Sequence, residues 1–189
     1  MPRVIDYPIV LEQLTAAGFV SLYHNAGAFG FAADAHVHAI GWVGVDDPTI
    51  RDAARGMVRK ITEPYAPTLA RMLEQAWLSH LPGPCWLMPK SHWHYELHFG
   101  NRELLKEVLP ELGINPALLR ERNDGSAIEF AAGESALLRE TAERLLSGLR
   151  GSDFMIAFPR YATLCTIHHH QQLWWQTREQ ALAQELMAI

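Results

Sequence analysis

Residues 92–99 read HWHYELHF. On a β-strand, side chains alternate between the two faces. His92, His94, Glu96 and His98 then share one side, and Trp93, Tyr95, Leu97 and Phe99 share the other. One side is all imidazole and carboxylate, the other bulky and mostly apolar. This alternation predicts a half-buried strand with its aromatic side inward. The preceding apolar run, Cys85 to Met88, lies between prolines at 84 and 89. It reads as a buried strand close enough to pair with 92–99 as a hairpin.

On the N-terminal side, Asp6 and Pro8 open a helix that Gly18 closes after Ala17. Phe19 to Tyr23 reads as a strand, and NAGAFGFAADA (25–35) as a loop or a turn between two strands. His36 to Val45 is the next strand, with His36, His38, Ile40 and Trp42 on one side. Asp47 followed by Pro48 is a helix start, and that helix would bury Ile50, Ala54, Met57, Val58 and Ile61. Pro64 and Pro67 end it and begin another, whose stripe is Leu69, Met72, Leu73, Ala76 and Trp77.

On the C-terminal side, Asn101 caps a helix carrying Leu104, Leu105, Val108, Leu109 and Leu112, closed by Gly113. Asn115-Pro116 begins a short helix, 127–131 is a strand, and Leu137, Leu138, Ala142, Leu145 and Leu146 mark a long helix. Strands follow at 154–158, 162–168 and 173–176. Thr177 with Gln180 forms a capping box for a last helix. This order is not a strict βαβ alternation. It predicts an α+β fold in one globular domain, 1–189, with one mixed or mainly antiparallel sheet and helices packed largely on one face.

The bulk properties narrow the partners. The chain has 189 residues, 49% hydrophobic and 20% charged, with a net charge of −5. A chain of this length can bury a real core. The negative balance argues against nucleic acid and anionic membrane as partners. Arg51, Arg55 and Arg59 lie four apart on one expected helix face, which reads as a solvated stripe. The two cysteines, Cys85 and Cys165, have no metal-site spacing and read as reduced and buried. The N-terminal MPRVIDYPIV has Asp6 and Pro8 where a secretory signal needs an apolar run. No stretch reads as a membrane span. The expectation is a soluble, cytoplasmic protein.

The chemistry lies in the ten histidines. Six fall in three tight groups: His36 and His38, His92 and His94, His168 and His169. Two residues at i and i+2 of a strand point the same way, about 6.7 Å apart. Their imidazoles can reach one ion. His92 to His98 would span about 20 Å on a strand, so 92–98 cannot be one site by itself. His36, His38, His92 and His94 are the candidate metal ligands if their strands lie side by side. Glu96 is the candidate catalytic residue, as general base or orienter. Such a set suits zinc, manganese or iron. The alternative is that these histidines are the wet side of a sheet.

A second constellation is CTIHHHQQLWWQT, residues 165–177. Cys165 and His168, three apart on a strand, point to opposite faces, which argues against a nucleophile–base pair. His168, Trp174 and Trp175 instead suggest a ligand-binding wall of rings with neighbouring amides. Arg160, just after a strand ended by proline, could receive a carboxylate or phosphate, and Lys90 has a similar place. The reading is a domain that binds a small-molecule ligand in a His/Trp-lined pocket on one sheet face, with a divalent metal as candidate cofactor. Its rival is a non-catalytic interaction or homo-oligomerising module with incidental surface histidines.

Overall fold

The computed structural model describes residues 1–24, 26–47, 57–121 and 124–189. Its elements in chain order are β1 (Arg3–Ile5), α1 (Tyr7–Ala16), β2 (Phe19–Ser21), β3 (Phe29–Phe31), β4 (His38–Gly44) and β5 (Met57–Ile61). Then come α2 (Tyr65–His80), β6 (Cys85–Pro89), α3 (Trp93–His98), α4 (Arg102–Glu111), α5 (Pro116–Glu121) and β7 (Ala127–Phe130). The last are α6 (Ser135–Gly148), β8 (Phe154–Phe158), β9 (Thr163–His168), β10 (Gln172–Thr177) and α7 (Gln180–Ala188).

Eight strands form one mixed sheet in the order β1-β7-β6-β8-β9-β10-β4-β5. Every pairing is antiparallel except β4 with β5. The fold is α+β. The main core lies between one sheet face and α2–α7. It joins Ile40, Trp42, Leu87, Ile156, Ile167 and Trp175 of the sheet to Leu73, Trp77, Trp93, Leu109, Leu145 and Leu186 of the helices. The opposite face carries a smaller core. There α1 and the β2–β3 hairpin cover Trp86, Met88, Met155, Ala157 and Leu164. Strands β6 and β8 are therefore buried on both faces, which is why CWLMP and FMIAF are continuous apolar runs.

The stretch 92–99 is not a strand. Trp93–His98 is one short helix, and β6 pairs with β7 and β8 rather than with it. Burial follows the helical period: Trp93, Glu96 and Leu97 are inside, while His94, Tyr95 and Phe99 are exposed. The deciding contacts come from far away in sequence. The Trp93 N–H donates to the Asp124 carbonyl at 3.1 Å, and the His94 N–H donates to Asp124 Oδ1 at 3.0 Å. Asp124 thus caps the helix in place of a local residue.

Three smaller expectations change. Met57–Ile61 is strand β5, not the end of a helix, because its apolar residues pair with β4. Pro48, Ile50, Arg51, Ala54 and Arg55 lie outside the described residues. Arg59 sits on β5 and donates to the Met187 carbonyl at 2.8 Å. Thr177 belongs to β10, and its Oγ1 accepts from Thr163 Oγ1 at 3.1 Å and from the Glu179 N–H at 3.2 Å; the N-cap of the helix is Glu179, and the expected box with Gln180 is not formed. Two short strands, β1 and β3, carried no sequence signal. Among the described residues no helix is long and apolar enough to cross a membrane.

Candidate functional site

Strands β9 and β10 form a hairpin whose loop is His169-His170-Gln171, with Gln172 paired to His168. The Gln171 N–H donates to the His168 carbonyl at 3.1 Å, and Gln171 takes φ 57°, the left-handed conformation. A turn followed by one left-handed residue is the usual three-residue hairpin loop. It crowds three imidazoles at the tip. Ring centroids of His168 and His169 are 4.3 Å apart, and those of His169 and His170 are also 4.3 Å apart. One ligand atom from each of His168, His169 and His170 falls within 4.8 Å of the others. Among the described residues this is the one group of three or more potential metal ligands so placed.

Asp153, just before β8, fixes this tip. Its Oδ1 accepts from the His169 N–H at 3.2 Å and lies 2.8 Å from His169 Nδ1 and 4.0 Å from His168 Nε2. Burial pushes the His168 imidazole below its ordinary pKa. Neighbouring His169, His170 and Lys90 push the same way, and Asp153 opposes them.

Two cavities flank the tip. One, of about 190 Å³, lies against the sheet face opposite the main core. It is lined by Lys90, Asp153, Thr166, His168, Trp174 and Gln176, with Ala39 and Trp175. Its lining includes no residue of α1, β2 or β3, and the Trp174 ring lies on Gly41, where a Cβ would come within 2.7 Å of it. Trp174 Nε1 donates to Gln172 Oε1 at 2.7 Å, and Gln172 Nε2 donates to Asp47. The second cavity, of about 460 Å³, joins His169, His170 and Gln171 to Asp46, Asp47, Glu63, Tyr65 and Gly44. The tip therefore stands between an acidic recess and a floor bearing Lys90 and an indole.

No protein-family model matches the chain, and no curated protein or solved structure matches it.

The other residues singled out from sequence scatter. His36 and His38 contact each other edge-on at 4.7 Å. By strand alternation His38 shares the side of Ile40 and Trp42, opposite Ala39. His92 precedes α3. His94 pairs with His98 one turn on, with rings 4.2 Å apart and His98 Nδ1 2.8 Å from the His94 carbonyl. His36, His38, His92 and His94 do not form a group with ligand atoms within 4.8 Å of one another. The strand geometry that would have aligned His92 with His94 does not exist. Trp175 points into the main core against Trp42 and Phe158. Arg160 lines a different cavity, at the ends of α2 and α7.

Glu96 is fully buried. Its Oε1 accepts from Ser91 Oγ. Its Oε2 accepts from the Asn101 N–H, Asn101 Nδ2 and Ser152 Oγ at 3.2, 2.8 and 3.0 Å. Asn101 in turn donates to Ser152 and accepts from the Arg150 N–H. Its side chain holds this knot rather than capping α4. The carboxylate is enclosed by these donors and has no exposed surface.

Asp153 is the residue that sequence reasoning missed. Gly-Ser-Asp ahead of an apolar strand reads as a turn, and no local signal ties it to histidines fifteen residues later.

Proposed function

We propose that the β9–β10 tip is a divalent-metal centre and that the adjoining open sheet face holds a small organic ligand beside it. The observation that carries this reading is the convergence of ligand atoms from His168, His169 and His170 within 4.8 Å. Three imidazoles are a common protein contribution to a site that keeps a position open for water or ligand, and they suit zinc and its neighbours. Asp153, 2.8 Å from His169 Nδ1, can orient that ring so that its other nitrogen is free for an ion, as carboxylates do around bound metals. The 190 Å³ cavity adds an ammonium from Lys90 and the indole of Trp174. These groups favour a ligand with an acidic group and a flat or apolar part.

The experiment is calorimetric titration of untagged, chelator-treated protein with zinc and cobalt, followed by the visible spectrum of the cobalt form. The expected result is one ion per chain, with binding lost in the H168A/H170A double variant. Retention of wild-type affinity in that variant overturns the reading.

A further inference from the structure

A third cavity, of about 510 Å³, lies where β8 runs into the turn Pro159–Tyr161 and the ends of α2 and α7 approach. Its volume lies within the range of roughly 300–1,000 Å³ usual for small-molecule sites. The lining carries Arg160, Glu179, His80 and Glu185, with Leu182 and Tyr161 among the remaining walls. It shares no lining residue with the two cavities beside the histidine tip.

The charges sort into two kinds. His80 Nδ1 and Glu185 Oε2 are 3.0 Å apart and satisfy each other. Arg160 and Glu179 have no ion pair or side-chain hydrogen bond among the described residues, and they do not pair with each other although both line the same space. Arg160 is laid across Gly83, whose backbone takes φ +133°. A Cβ there would come within 3.2 Å of Arg160 Cδ and Nη1. A side chain at position 83 would be strained by that φ, and the Arg160 stem would have to give by a few tenths of an ångström to admit it. Tyr161 is held by its hydroxyl, which donates to the Pro82 carbonyl at 3.0 Å. Ala162, also in the lining, adopts φ 44° and ψ 49°, a left-handed conformation rare for alanine.

We infer that this cavity binds a small zwitterion of the free amino-acid type, its carboxylate on Arg160 and its ammonium on Glu179. A guanidinium receives a carboxylate through two parallel hydrogen bonds. Arg160 and Glu179 line the same space without pairing, so a ligand that carries both charges can satisfy both. His80 and Glu185 are already engaged with each other, and Leu182 offers an apolar wall for the rest of the molecule.

The test uses the whole protein with the common free amino acids as probes, read by thermal shift and confirmed by calorimetry. At least one amino acid should bind saturably at one site. R160Q and E179Q, both at exposed positions, should each weaken it by about ten- to a hundredfold, as expected for a lost hydrogen bond to a charged group. The deaminated acid and the carboxyl amide of the same amino acid should weaken to a similar degree. No binding by any amino acid at millimolar concentration overturns the inference. So does unchanged affinity in R160Q, or a deaminated acid that binds as well as its parent.

Discussion

The backbone N–H and the side-chain amide of Asn101 both donate to Oε2 of Glu96, at 3.2 and 2.8 Å. With Ser91 and Ser152 they surround a carboxylate that has no exposed surface. Removing the carboxylate takes the acceptor from two buried donors of Asn101 and from the half-buried hydroxyls of Ser91 and Ser152, and a buried donor left without a partner costs about 1–3 kcal/mol. Urea denaturation of E96A should therefore show a loss of about 3 kcal/mol or more. A variant as stable as the parent would contradict this account of Glu96.

The helical placement of 92–99 separates residues that a strand would have put on one side. Trp93 is fully buried, and its Nε1 donates to the Ser126 carbonyl at 2.7 Å. Tyr95 is 48% exposed and Phe99 is 74% exposed. W93A should cost about 3–5 kcal/mol, whereas Y95S and F99S should each stay within about 0.5 kcal/mol of the parent. Equal losses at 93, 95 and 99 would restore the strand.

Most of the fold was legible for a physical reason. The strands 85–89 and 154–158 are apolar throughout because the sheet is covered on both faces there, and the stripes of α2, α4 and α6 recur at three-and-four spacing. At 92–99 the same logic failed. Six helical residues make less than two turns, too few to separate a period of 3.6 from a period of 2. The cap that settles the matter sits at Asp124. For the site, strand parity was enough to turn the adjacent Trp174 and Trp175 to opposite faces. It said nothing of Asp153, or of the partners of Glu96 at 91, 101 and 152, because those meet only through the tertiary fold.

Gly41 and Trp174 face each other across β4 and β10. A methyl group at position 41 would come within 2.7 Å of the indole. G41A should destabilise by about 1–3 kcal/mol through overpacking and shift the tryptophan emission as the ring lifts from the sheet. In W174A the same substitution should be close to neutral, and a double-mutant cycle reads that difference directly. An additive cycle would mean that the ring is not seated on Gly41.

Cys85 and Cys165 are free and fully buried. Burial pushes both thiols well above their ordinary pKa, with Glu129 adding to the effect at Cys85. The thiolate is the reactive form, so raising the pH through the ordinary thiol range should not expose either group to a thiol reagent while the protein is folded. Native protein should give no rapid reaction with Ellman's reagent at pH 8 or 9, and denatured protein should release both equivalents. Fast labelling of the folded chain would show that one of them is accessible.

Ser91 directly follows Lys90 and Ser152 directly precedes Asp153, and the Lys90 N–H donates to the Asp153 carbonyl at 3.0 Å. The two serines that hold Glu96 are thus the chain neighbours of two walls of the 190 Å³ cavity. Glu96 is therefore joined to that cavity only through the backbone of residues 90–91 and 152–153. Its removal is expected to reach Lys90 and Asp153 as a movement of backbone rather than as a charge lost from the lining.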